Sequence, residues 1–262
     1  LLYGRFRIIE PFKFIISNII CNKIWEKHQE GQEEIFIDFN GIELHGNEKG
    51  GYLSYKINKK KKEIIVTDIV SKTNKGATYI NTGDFPFTYH THPIVIDHLQ
   101  RNIENYPNLI SDDDLIGSIQ DNIFFEYKDT RNICGKKNIY TNGINLFDLL
   151  ACPYGIFIYR PDTNFHYFKS KNPQLELNKI EKDIYKLFNK HKNKLLPLYS
   201  YNNLKNYYNY EKDYHNIDNY IKEMDKWGFI IEFIPWKNAL NNGIIINLDS
   251  KFNLEKFCNY VL

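Results

Sequence analysis

Near the start of the chain apolar side chains recur every four residues, at Ile16, Ile20 and Ile24, with Ile15 and Ile19 beside them. That period predicts an amphipathic helix over residues 12–28, with Pro11 in its first turn and Gly31 as its stop. The pattern then turns β-rich at 35–39, 51–57 and 63–70. The lysine run 59–62 between the last two reads as a solvated hairpin turn rather than a basic patch. Residues 78–89 lead through Gly83 and Pro86 into a strand that ends at His90 and His92. A helix is expected from Ser111. Strands follow at 122–127 and 155–159, separated by a long Gly- and Asn-bearing connection through Cys134.

From residue 172 the character changes. Leu175, Leu177, Ile180, Ile184, Leu187 and Phe188 mark a second amphipathic helix, with Lys and Glu on its other face. Residues 197–214 are rich in Tyr and Asn and have little periodicity. A helix over 216–226 is expected to end at Gly228, apolar strands to follow at 229–234 and 243–247, and a last helix to cover 252–261. Helix, strands, histidine-bearing strand and helix form an α/β order, followed by an α+β extension over 172–262. Trp227 and Trp236 in that extension read as core residues. No internal repeat is visible.

Composition narrows this picture only a little. With 262 residues, 42% hydrophobic and 25% charged, the chain can bury an ample core. A net charge of +2 gives no argument for nucleic acid or an anionic membrane surface, and neither partner is expected. Abundant Asn, Ile, Lys, Tyr and Phe with few Ala is the coding bias of AT-rich genomes, such as those of some viruses and parasites. The cysteines, Cys21, Cys134, Cys152 and Cys258, form no C-x-x-C pair, which fits reduced thiols of an intracellular protein. The apolar run 12–21 is broken by Lys13 and Asn18 and is too short to span a bilayer.

The chemistry concentrates at Tyr89-His90-Thr91-His92-Pro93 and at Ser111-Asp112-Asp113-Asp114-Leu115. Two histidines one residue apart at a strand end can turn both imidazoles to one side, and a later carboxylate completes a three-ligand site with a fourth position left for water, which suits a catalytic zinc. A second carboxylate must then move the proton. Glu48 is the best candidate among Glu33, Glu34, Glu43 and itself, because Gly50 and Gly51 after it let the backbone pass close to a metal pocket. Ser111 is placed as a helix N-cap with acids in the first turn, and its hydroxyl can also face an oxyanion. His45, His98 and His166 have no comparable context.

Taken together, a Glu, then His-x-His-Pro, then Ser-x-x-Asp resembles the JAMM (MPN-plus, JAB-domain) metalloproteases, closest to their stand-alone prokaryote-like or viral-type members. Glu48-Lys49-Gly50-Gly51-Tyr52-Leu53 is similar to the Glu-x-Gly-Gly-x-Leu of those members, and residues 153–159 resemble the strand after the ligand helix. The resemblance covers roughly 12–168. It implies a cytidine-deaminase-like mixed sheet flanked by helices over 1–171, with His90, His92 and Asp114 as Zn2+ ligands, Glu48 as general acid/base and Ser111 on the oxyanion side. Only the Ser-x-x-Asp-Leu spacing selects Asp114 over Asp112 and Asp113. There is one departure: 21 residues separate His92 from Asp114, more than is usual in the family. The excess, an insertion at about 94–110, is expected to form a loop over the cleft.

The activity implied is zinc-dependent hydrolysis of isopeptide or peptide bonds in ubiquitin or ubiquitin-like conjugates, or of small peptides. Domains of this kind also serve as non-catalytic scaffold subunits. In that alternative 172–262 is an assembly arm.

Overall fold

A computed structural model of the chain describes residues 13–37, 43–58, 60–72, 87–93, 110, 114–115, 117–118, 147–161, 179, 181–186, 214–226 and 228–247. Three aromatic rings explain where its centre lies. Phe14 stacks on Phe87 with centroids 4.7 Å apart and meets Phe147 at 5.3 Å, and all three are fully buried. They come from three strands of one mixed sheet: β1 (Lys13–Ile16), β6 (Phe87–Thr91) and β7 (Phe147–Cys152).

The other strands are β4 (Gly50–Asn58), β5 (Glu63–Ser71), β8 (Gly155–Pro161), β9 (Phe229–Pro235) and β10 (Ile244–Asn247). Their order across the eight-stranded sheet is β10-β1-β5-β4-β6-β7-β8-β9. β1 runs parallel to β5 and β6 parallel to β7; the other neighbours are antiparallel. A separate hairpin pairs β2 (Ile35–Ile37) with β3 (Glu43–His45). Helix α1 (Asn18–Glu33) covers the sheet through Ile20, Ile24, His28 and Gly31, a single stripe at helical spacing. Two further helices, α2 (Tyr214–Lys226) and α3 (Trp236–Asn242), flank β9. The chain is therefore mixed α/β, with helices against a mixed sheet.

The first helix differs from its expected span at both ends. Residues 13–16 form β1 because Phe14 and Ile16 alternate inward between β10 and β5, and Ser17 then caps α1, its Oγ accepting from the Ile20 amide at 3.4 Å. The four-residue apolar spacing continues from strand into helix and hides the boundary. Gly31 does not stop the helix, which runs on to Glu33. A Cβ there would strike the main-chain oxygen of Asn47, so this glycine serves a close approach.

Besides β1, three elements went unanticipated, the short β3 of the separate hairpin among them. β7 lies inside the stretch read as a connection; all six of its residues are buried, so it lacks the polar alternation that marks a half-exposed strand. α3 is a seven-residue helix opened by the buried Trp236. The turn at 60–62 and the strands at 51–57, 63–70, 155–159, 229–234 and 243–247 appear where expected, each within two residues. α2 ends before Gly228, whose φ of 89° suits glycine. Residues 179 and 181–186 are helical, with Ile184 buried.

The described part of 172–262 is built into the sheet. β9 pairs with β8 along seven residues and β10 pairs with β1 along four, so the two strands form opposite edges of the same layer. Expected elements at 122–127 and 252–261, the insertion apart from Ile110, and most of 197–214 lie outside the described residues. Among the described residues no helix is long and apolar enough to cross a membrane.

Candidate metal centre

Strand β6 carries the site to the sheet's end. Alternation sends Phe87, Tyr89 and Thr91 to one face and Thr88 and His90 to the other. His90 lies opposite Gly50 on β4 and Leu150 on β7, and His92 extends the pairing on the β7 side, its amide donating to Ala151 O at 2.9 Å. On the β4 side the ladder ends one residue earlier, where Thr91 N donates to Lys49 O at 2.7 Å and the Thr91 hydroxyl accepts from Lys49 N at 2.9 Å. Thr91, between the two histidines, thus clamps the residue after Glu48. Its position in the His-x-His stretch was legible; its role was not.

The segment bearing Glu48 is also held from behind. Gly46 N donates to Glu34 O and Asn47 N to Gly31 O, both at the end of α1, and Lys49 Nζ pairs with the Glu34 carboxylate. Gly46 has a φ of 106°, which glycine alone adopts freely. Glu48 is therefore fixed between the helix end and the histidine strand. The two glycines after it have separate reasons. Gly50 faces His90 across the ladder, and Gly51 lies between Ser71 and Tyr89, whose hydroxyls meet at 2.9 Å.

Four of the expected side chains converge. His90 Nε2 is 3.0 Å from Asp114 Oδ1, and His92 Nε2 is 3.4 Å from Asp114 Oδ2 and 3.6 Å from Glu48 Oε1. The imidazole rings of His90 and His92 stand 5.0 Å apart at 63°. Donor atoms of His90, His92 and Asp114 all lie within 4.8 Å of one another. Asp114 enters on helical backbone shared with Leu115, Gly117 and Ser118, and Leu115 is fully buried. Ser111, Asp112 and Asp113 lie outside the described residues, as do His98 and His166.

The electrostatics divide the two carboxylates. Burial pushes Glu48 above the usual carboxylate range, and Asp114 adds to that, while the two histidines act the other way. Burial also acts to raise Asp114, but the charges of the nearby His92 and His90 outweigh it and hold Asp114 well below its ordinary value. The two carboxylates are thus shifted in opposite directions. His90 Nε2 is enclosed, and its 3.0 Å approach to Asp114 is not aligned as a hydrogen bond. Two imidazoles and a carboxylate around an enclosed, poorly satisfied nitrogen fit a divalent cation with mixed N and O ligands. These residues could hold a metal ion. No family model, curated protein or solved structure matches the chain.

Proposed function

We propose that the protein is a zinc-dependent hydrolase of amide bonds, a JAMM-type isopeptidase or peptidase acting on ubiquitin-like conjugates or extended peptides. The observation that carries this reading is the convergence of Glu48 on a His90, His92 and Asp114 cluster, with the two carboxylates held in opposite protonation tendencies. A zinc bound there would supply a Lewis acid and bring the pKa of a water to about 7.

The chain's own residues would do the rest. His90, His92 and Asp114 hold the cation. Glu48 takes the proton from the attacking water, whose oxygen bonds to the carbonyl carbon. It then returns that proton to the leaving nitrogen as the C–N bond breaks. A carboxylate raised toward neutrality does both tasks better than an ordinary one. Ser111, as the resemblance implies, would face the developing oxyanion.

The test is elemental analysis of the purified protein with an isopeptide cleavage assay. About one zinc per chain, lost in a His90→Ala/His92→Ala variant, is expected. Glu48→Gln should keep its zinc and lose about 10²- to 10⁴-fold in rate. If the wild type takes up no zinc, the catalytic reading fails and a non-catalytic role takes its place.

A further inference from the structure

Thr91 is fully buried on the same face of β6 as Phe87 and Tyr89, between the two histidines in sequence and turned away from them. The β4–β6 register pairs Gly51 with Tyr89 and Gly50 with His90, and its continuation sets Lys49 opposite Thr91 and Glu48 opposite His92. In a regular antiparallel pair of this kind the two residues exchange both main-chain bonds. Thr91 N does donate to Lys49 O at 2.7 Å. Lys49 N, however, donates to the Thr91 hydroxyl at 2.9 Å, where a regular pair would return the bond to the Thr91 carbonyl. Just before β4 begins, a side chain has taken the place of a main-chain acceptor.

The Lys49 N–H belongs to the rigid peptide plane that follows Glu48. Its direction therefore fixes ψ of Glu48, and with it the line along which that side chain leaves the backbone. On the other side of Glu48 the chain is held by α1, through Asn47 N to Gly31 O at 2.7 Å. Neither histidine depends on the hydroxyl. Their main chain is carried by Thr91 N to Lys49 O and by His92 N to Ala151 O, bonds that need no side chain at 91.

Resting on the metal reading above, we propose that Thr91 is a positioning residue for Glu48. Its hydroxyl holds the peptide after Glu48 so that the carboxylate stays beside His92, where Glu48 Oε1 stands 3.6 Å from His92 Nε2. It does so without acting on the metal ligands. Loss of the hydroxyl therefore separates two properties of the site: the cation is still held, and the base loses its aim.

The test reads both properties in the full-length chain. Thr91→Val keeps the shape and loses the acceptor, Thr91→Ala is a second acceptor-free form, and Thr91→Ser keeps the hydroxyl. Thermal unfolding serves as the fold control, and either acceptor-free form is enough. In the metal-free protein, hydrogen exchange of the Lys49 amide followed by NMR should quicken about ten-fold or more in the Val and Ala variants and stay near wild type in Ser. The His92 amide should stay protected in all of them. Co2+ affinity, in competition with a chelator, should hold near the wild-type value, without the loss of about 10- to 100-fold that follows removal of a group orienting a ligand. Acetohydroxamate added to the zinc-loaded protein reports Glu48, since the neutral acid gives up a proton as it chelates and Glu48 is the base in reach. Its affinity should fall about ten-fold in the Val and Ala variants, recover in Ser, and fall no further when Thr91→Val is added to Glu48→Gln. Unchanged Lys49 exchange in the acceptor-free variants, or a hydroxamate loss that adds to that of Glu48→Gln, would overturn the inference. Co2+ affinity lost together with the hydroxyl would overturn it too, because Thr91 would then be orienting the ligands. Wild-type protein that binds no Co2+ would overturn the metal centre itself, a separate and recognisable outcome.

Discussion

Gly51 tolerates no side chain, because a Cβ there would run into the main-chain oxygen of Val70 inside the β4–β5 ladder. Gly51→Ala is expected to cost about 1–3 kcal/mol or more, measured by urea unfolding, since neither strand can shift without breaking pairing. Wild-type stability in that variant would show that the ladder relaxes freely. The buried thiols give a second expectation. Burial pushes Cys21 and Cys152 up to about 12. At pH 8 only about one in 10⁴ would then be thiolate, and alkylation mapped by mass spectrometry should miss both until the chain unfolds. Because the folded state holds these protons more tightly than the unfolded state, the two thiols contribute less stability as pH rises from about 8.5 toward 12. Modification of native Cys152 at pH 8 would contradict its burial. Glu48, His90 and His92 could be picked out by residue type and setting, whereas Asp114 was chosen over Asp112 and Asp113 only through the Ser-x-x-Asp-Leu spacing of the resemblance. The role of Thr91 was not legible, because a hydroxyl clamp has no spacing signature.

Between α1 and the Glu48 segment, packing is set by one missing side chain. The segment crosses the helix at Gly31, close enough that Asn47 N donates to Gly31 O at 2.7 Å. Alanine favours the helix itself by about 1 kcal/mol over glycine, so a loss in Gly31→Ala cannot come from helix propensity. Its methyl group would push residues 46–49 off the helix and displace Glu48, while His90, His92 and Asp114 stand on other elements. We expect zinc content near one per chain with cleavage about 10²-fold slower. Unchanged cleavage would mean the crossing is not what places Glu48. The expectation of a helix stop at Gly31 failed for this reason: a glycine that permits contact and a glycine that ends a helix look the same in one dimension. β7 was hidden for the opposite reason, since a strand buried on both faces carries no alternation to read.

For the whole molecule, the outer strands decide what can be removed. Both β9 and β10 come from the last third of the chain, and each covers a strand edge that would otherwise expose unpaired main-chain groups. Deleting residues 214–262 should therefore give an aggregated or unfolded product by size-exclusion chromatography and circular dichroism. A folded, monomeric and zinc-binding truncate would support a separable arm instead. The sequence by itself determined the α/β order, most strand spans, the helix before Gly228 and the candidate ligand set, because local periodicity and the chemistry of residue types are written along the chain. Only the tertiary structure decided that residues 13–16 are a strand, that β7 fills the middle of the sheet, and that the C-terminal strands form both its edges. Those outcomes depend on which distant strands find each other, as Phe14 does with Phe87 and Phe147, and pairing across such separations leaves no local pattern to read.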